Sequence, residues 1–191
     1  MIAALAGRRI DQKDATPPRF PSTQVDRVSG ELRRLFQDRG VSILVSSAAC
    51  GADLVALDVA GSLKIRFRIV LPFDAPHFKT SSVVDRGGEW GELFERLIGA
   101  AEAAGDLVVL GLPQSDNAYE RATQAILDEA ARLASGGPVL AVAVWELESR
   151  GQGDHTEQFL KAARDRGYST AEINSSGSGG SNPKTTNHRS A

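Results

Sequence analysis

The chain has 191 residues, 41% of them hydrophobic and 24% charged, with 22 Lys+Arg against 24 Asp+Glu and a formal net charge of -2. That length suits one domain, that mixture excludes wholesale disorder, and that balance provides no global positive field for nucleic acid or an anionic membrane. A single cysteine, Cys50, excludes an internal disulfide framework and any multi-cysteine cluster, and His77, His155 and His188 are too scattered for a metal motif, so no metal is expected.

Residues 2–6 read as a first strand, after which Val25, Val28, Leu32, Leu35 and Phe36 recur at helical spacing. Residues 41–45 form a second strand entered through Gly40, a helix stop, and 52–60 a short helix closed by Gly61. A third strand covers 66–71. Trp90, Leu93, Phe94, Leu97 and Ile98 mark a helix over 89–104, and the apolar run 107–110 suits a strand covered on both faces. A helix over 118–134, a strand over 138–145, a helix over 155–166 and a strand over 168–173 complete the series.

Parallel strands need crossover connections, normally right-handed and helical, so about five alternations predict a single α/β domain over residues 1–173. Its architecture is a Rossmann-like open, mainly parallel sheet with helices on both faces. Ligands of such sheets bind beyond the carboxyl ends of the strands, where strand order reverses. Residues 174–191 hold Ser, Gly, Asn, Lys and Thr with almost nothing to bury, and read as a disordered tail or linker. No run approaches the roughly 20 apolar residues of a bilayer crossing, and Met1 does not open a basic signal segment, so the expected location is the cytoplasm with no membrane partner.

The search for chemistry narrows to the loops after the strands. The first begins Gly7-Arg8-Arg9 and runs on through Pro17, Pro18 and Arg19; its arginines can pair bidentately with phosphate, or form an exposed basic loop. The second, Ser46 through Ser47, Cys50, Gly51, Ala52 and Asp53, carries small side chains that let backbone amides and a helix N-terminus face an anion. Tight strand-to-helix packing explains the same residues. Asp53 reads as a ribose contact or as a first-turn carboxylate favoured by the helix dipole, and Cys50 as a buried small residue.

Pro72 and Phe73 open the third loop, either as an aromatic platform for a base or as a lid on the core, and His77 there has no visible partner. After the fourth strand, Ser115, Asp116 or Asn117 can cap the next helix, leaving Tyr119 and Arg121 available for a base or phosphate. After the fifth, Trp145-Glu146 leads to Gly151-Gln152-Gly153-Asp154-His155-Thr156-Glu157, a second candidate phosphate cradle in which Asp154 serves alternatively as a helix cap.

Taken together, residues 3–11, Pro18-Arg19-Phe20-Pro21, residues 46–53, Leu71-Pro72-Phe73 and the stretch from Trp145 to Thr156 resemble the SLOG superfamily, over about residues 1–173. These Rossmann-like domains include the DNA-processing SMF/DprA proteins and the LOG cytokinin-activating enzymes, and bind nucleotides or nucleotide-derived ligands. Many prokaryotic members look like sensors attached to effectors in defence or signalling systems. The resemblance implies phosphate or ribose near Gly7, Arg8, Ser47, Gly51, Asp53, Gly153 and Thr156. The LOG motif places its glutamate three residues beyond the threonine, whereas Glu157 follows Thr156 directly, which turns the carboxylate by about 200° on a helix.

The expectation is therefore a nucleotide-binding sensor domain that signals to an effector protein or a second copy, with a nucleotide or NAD-derived ligand and no certain cofactor. Its expected ligand contacts are Gly7, Arg8, Arg9, Ser47, Gly51, Ala52, Asp53, Pro72, Phe73, Asn117, Trp145, Gly153 and Thr156. The alternative is a LOG-like nucleoside 5'-monophosphate phosphoribohydrolase, with Glu157 or Glu146 as acid/base. Single-stranded DNA binding is disfavoured by the overall acidity.

Overall fold

The computed structural model describes residues 1–151, 153–177 and 184–186. In chain order these give β1 (Ile2–Gly7), α1 (Val25–Asp38), β2 (Ile43–Ser46), α2 (Ala52–Ser62), β3 (Arg66–Leu71), α3 (Ala75–Ser82) and α4 (Trp90–Ala103). There follow β4 (Leu107–Val109), α5 (Asp116–Ala134), β5 (Val139–Trp145), α6 (His155–Asp165), β6 (Ser169–Asn174) and β7 (Lys184–Thr186). The sheet order is β4-β3-β2-β1-β5-β6-β7; the first six strands in that order run parallel, and β7 pairs antiparallel on β6. This is a Rossmann-like α/β sheet.

The period of two along the strands sorts their side chains between two cores. Ala3, Leu5 and Leu44 pack with Leu32 and Phe36 of α1, Leu54 and Leu57 of α2, and Phe94 and Leu97 of α4. Ile2, Ala4 and Val45 face the other way, against Ile126 and Leu127 of α5 and Phe159 and Leu160 of α6. Ala3 and Ala4 are wholly buried, and their small side chains let helices on both faces approach β1. No helix among the described residues is long and apolar enough to cross a membrane.

Three features differ from the sequence expectation. Residues 75–82, read as loop, form α3: the Asp74 carboxylate accepts from His77 N at 3.0 Å, and Pro76 lies in the first turn, where its missing N–H costs nothing. Asn174 belongs to β6 rather than to a tail. Ser175 is fully buried, its N–H donating to Trp145 O at 2.9 Å and its hydroxyl to Arg19 O, while Arg27 of α1 donates to Asn174 O. Of the expected tail, residues 174–177 continue from β6 and 184–186 form β7; 178–183 and 187–191 lie outside the described residues.

Two glycines fix how the first loops meet. A Cβ on Gly7 would lie 2.5 Å from Ala52 Cβ and 2.6 Å from Val144 O, so β1 can pass between α2 and β5 only without a side chain there. Gly51 has φ +106° and bridges to Arg9; a Cβ on it would sit 2.5 Å from Ile10 N. We predict that Gly51→Ala destabilises the protein by at least about 1–3 kcal/mol from backbone strain alone, read as a lowered urea midpoint. A midpoint equal to that of the parent would show that the two loops can separate freely.

Candidate functional site

From β1 the chain winds outward through β2 and β3 to β4, then returns to place β5 on the other side of β1, so strand order reverses there. At the carboxyl ends of these strands lies a cleft of about 450 Å³. Leu5, Ala6 and Gly7 line it from β1, Ser47 and Ala49 from the β2–α2 connection, Asp53 from the first turn of α2, and His155 and Thr156 from the start of α6. Tyr119, Ala122, Thr123 and Ile126, spaced along one face of α5, form an apolar wall, and Asp11, Pro17 and Arg19 come from the long first loop. That loop is held in shape by Asp11, whose carboxylate accepts from Arg19 N at 2.8 Å and Phe20 N at 2.9 Å, over a fully buried Phe20.

Arg8 lines the cleft but is not free within it. Its guanidinium is 3% exposed and forks onto Asp154, at 2.6 Å from Nη1 to Oδ1 and 2.7 Å from Nη2 to Oδ2, while Nε donates to Glu146. The ring of Trp145 lies 5.7 Å from its Cζ. Burial pushes the Asp154 carboxyl up, but the Arg8 hydrogen bonds, the amides of Arg150 and Glu157 and the Arg8 charge outweigh it and hold that carboxyl well below the ordinary range. The guanidinium expected to neutralise a ligand phosphate thus already carries two carboxylates on its fork.

Several of the backbone amides expected to cradle phosphate are also taken. Ala49 N donates to Asp53 Oδ2 at 3.2 Å, Cys50 N to Ser82 O at 3.1 Å and Ala52 N to Arg8 O at 3.0 Å. At the start of α6, Thr156 N and Glu157 N donate to Asp154 Oδ1 at 3.0 and 3.2 Å, so Asp154 caps the helix in the place an anion would occupy. Gly153 has φ +83° and open space where a Cβ would stand, which makes it a turn residue; Gln152 beside it lies outside the described residues.

Positive charge in the cleft therefore comes from a second set of guanidinium groups. Arg9, Arg19, Arg86 and Arg150 all line it, and each is partly open to solvent. Arg9 pairs with Asp85, whereas Arg19 stands 3.6 Å from Glu146 and Arg150 3.7 Å from Asp154, carboxylates that Arg8 already holds. Burial, then the neighbouring Arg8 charge, pull the Arg150 guanidinium down, as expected where cations crowd together. The buried Nε atoms of Arg9 and Arg86 make no hydrogen bond among the described residues, although Arg86 Nε lies 3.4 Å from Asp85, and Nδ1 of His155 is likewise unsatisfied.

Asp53 is the other titratable feature. It sits in the first turn of α2, 7% exposed. Burial pushes its carboxyl up to about 7, against the opposing pull of the Ala49 amide, the Arg9 charge and the Ser46 hydroxyl.

Of the residues expected to touch ligand, Gly7, Arg8, Arg9, Ser47, Asp53, Pro72 and Thr156 line the cleft. Gly51 and Ala52 lie behind it in the packed loop junction, and Phe73 is buried against Phe78 and Tyr119 in a ring cluster. Trp145 turns its Nε1 to Glu172 at 3.0 Å, and Asn117 is exposed on α5, so neither is a lining residue. Neither candidate catalytic glutamate lines the cleft: Glu146 holds Arg8, and Glu157 is exposed and accepts from Ser149. Arg86, Arg150, Ser82 and the α5 face were not anticipated as a set. The i, i+3, i+4, i+7 spacing of Tyr119, Ala122, Thr123 and Ile126 was the available signal.

Among the described residues no group of three or more His, Cys, Asp or Glu side chains is placed to hold a metal ion. A scan against family models gives no match, and a search of curated proteins gives none either.

Two stability predictions follow from these charges. Arg8→Ala strands buried Asp154 beside Glu146 and should cost about 3–5 kcal/mol at neutral pH. The loss should shrink as pH falls below 3.8, the unfolded value of Asp154, where the stabilisation of its ionised form disappears; chemical denaturation at several pH values reads this. For Asp53 the sign is opposite. The folded state holds its proton more tightly, so burial costs nothing below pH 3.8, progressively more up to about 7, and a constant amount above. Asp53→Asn should melt above the parent at pH 8, with the gap closing towards pH 4.

Proposed function

We propose that this cleft binds a nucleotide or nucleotide-derived ligand, and that the chain acts as a ligand-sensing domain signalling to an effector protein or a second copy of itself. The observation that carries this reading is the convergence of Arg9, Arg19, Arg86 and Arg150 on an apolar-walled cleft at the point where strand order reverses. Guanidinium groups suit phosphate oxygens, and the α5 wall with Tyr119 suits the flat face of a base. A volume of about 450 Å³ lies inside the range of small-molecule sites. The resemblance to the SLOG superfamily supports the same ligand class.

Binding is favoured over N-glycosidic hydrolysis because Glu146 and Glu157, the carboxylates that hydrolysis would use, lie outside the cleft lining. A thermal-shift screen of adenine and guanine nucleotides, NAD, ADP-ribose and cyclic dinucleotides, with product analysis of each hit, tests both ideas. The expected result is stabilisation without released base. Arg9→Ala and Arg150→Ala should each remove a charge-assisted contact of about 1.5–3 kcal/mol, weakening binding of a hit roughly 10–150-fold while the fold persists. Parent-like affinity in both folded variants, or turnover of the hit, would overturn the assignment.

A further inference from the structure

A carboxyl group in an arginine-lined anion site is a contradiction if it is ionised, because it would repel the ligand that the arginines attract. Asp53 stands in that position. It lines the cleft, is all but buried, and is oriented by the Ala49 amide on Oδ2. Charged or titratable groups reach this end of the cleft from several elements. They are Arg9 of the first loop, Cys50 of the β2–α2 loop, Asp85 and Arg86 of the turn after α3, and Tyr119 of α5. Arg9 is the charge that acts on Asp53, but its guanidinium is directed to Asp85 and the Cys50 sulfur, and among the described residues no cation pairs with Asp53 directly. An unpaired carboxylate in such a place is costly, which favours the protonated form.

We propose, building on the ligand class assigned above, that Asp53 is the proton-bearing recognition group of the cleft, donating its carboxyl O–H to an acceptor oxygen of the bound nucleotide ligand. At and above the midpoint of the free carboxyl, binding then takes a proton up from solvent. The two ionisation states recognise different partners, since the acid donates to a phosphate or carbonyl oxygen, whereas the carboxylate accepts from a ribose hydroxyl. A ligand anion set beside Asp53 favours the protonated form further, so affinity must decline as pH rises through the carboxyl's midpoint.

ADP-ribose is a suitable probe because its diphosphate does not titrate near neutrality. In the full chain, the Asp53 side-chain carbon followed by NMR should titrate near pH 7, and saturating ADP-ribose should move that midpoint upward. Calorimetry between pH 6 and 8.5, in buffers of different ionisation enthalpy, should show proton uptake and an affinity that falls by up to tenfold per pH unit above the midpoint. Asp53→Asn, whose amide N–H₂ donates at every pH, should lose that slope and bind more tightly than the parent at pH 8.5.

A midpoint near 4, or parent binding that is flat with pH while Asp53→Asn is weakened at every pH, overturns the proposal and leaves nucleotide binding standing with a ribose-type contact. A midpoint near 7 that ADP-ribose does not move, with no measurable binding, overturns the recognition role. Failure of every nucleotide in the preceding screen removes the underlying ligand assignment as well.

Discussion

The buried fork of Arg8 on Asp154 is the constraint on which the site's arrangement depends. Arg8 follows directly on β1, and its N–H extends the β1–β5 pairing by donating to Val144 O at 2.8 Å. Asp154 caps α6 and accepts in addition from the amides of Arg150, Thr156 and Glu157. One ion pair therefore ties the end of the central strand β1 to the start of α6 and to the loop that leads into it from β5. Bringing both charges out of water is compensated only because every oxygen of Asp154 has N–H partners and the guanidinium rests over Trp145.

That arrangement divides the polar groups at the sheet edge into two tiers. An inner tier of Arg8 and the amides of Ala49, Cys50, Ala52, Thr156 and Glu157 is satisfied by the protein itself. An outer tier of arginines is anchored at one side only and faces the cleft. The glycines serve the inner tier: Gly7 and Gly51 bring backbone against backbone where a side chain would collide, and so bring the first loop within reach of α2. On the proposed function, anion recognition would pass from the backbone, where small residues after a strand usually place it, to side chains.

Most of the architecture was legible in the sequence, because apolar runs such as Leu107–Val109 and Val139–Trp145 alternate with segments of helical period. The helix α3 was not, since Pro72 and Pro76 read as breakers while the Asp74 cap that accommodates Pro76 is a single residue. Site residues were half legible. Sequence position shows that Arg8 and Asp53 follow strands, but not that Arg8 meets a carboxylate 146 residues away, nor that Asp53 is buried with no cation paired to it among the described residues. Arg86 and Arg150 carry no local pattern at all; only the closure of the sheet brings them to the same opening.

The buried hydroxyl of Ser175 joins two parts of the molecule that the chain itself keeps apart. It grips the carbonyl of Arg19, a residue of the cleft rim, while the Ser175 amide is tied to the end of β5 and Asn174 to α1. A shift of Arg19 toward a phosphate would draw on the backbone at the exit of the sheet. Ser175 thereby ties the exit of the sheet to the mouth of the cleft through a single side-chain hydrogen bond.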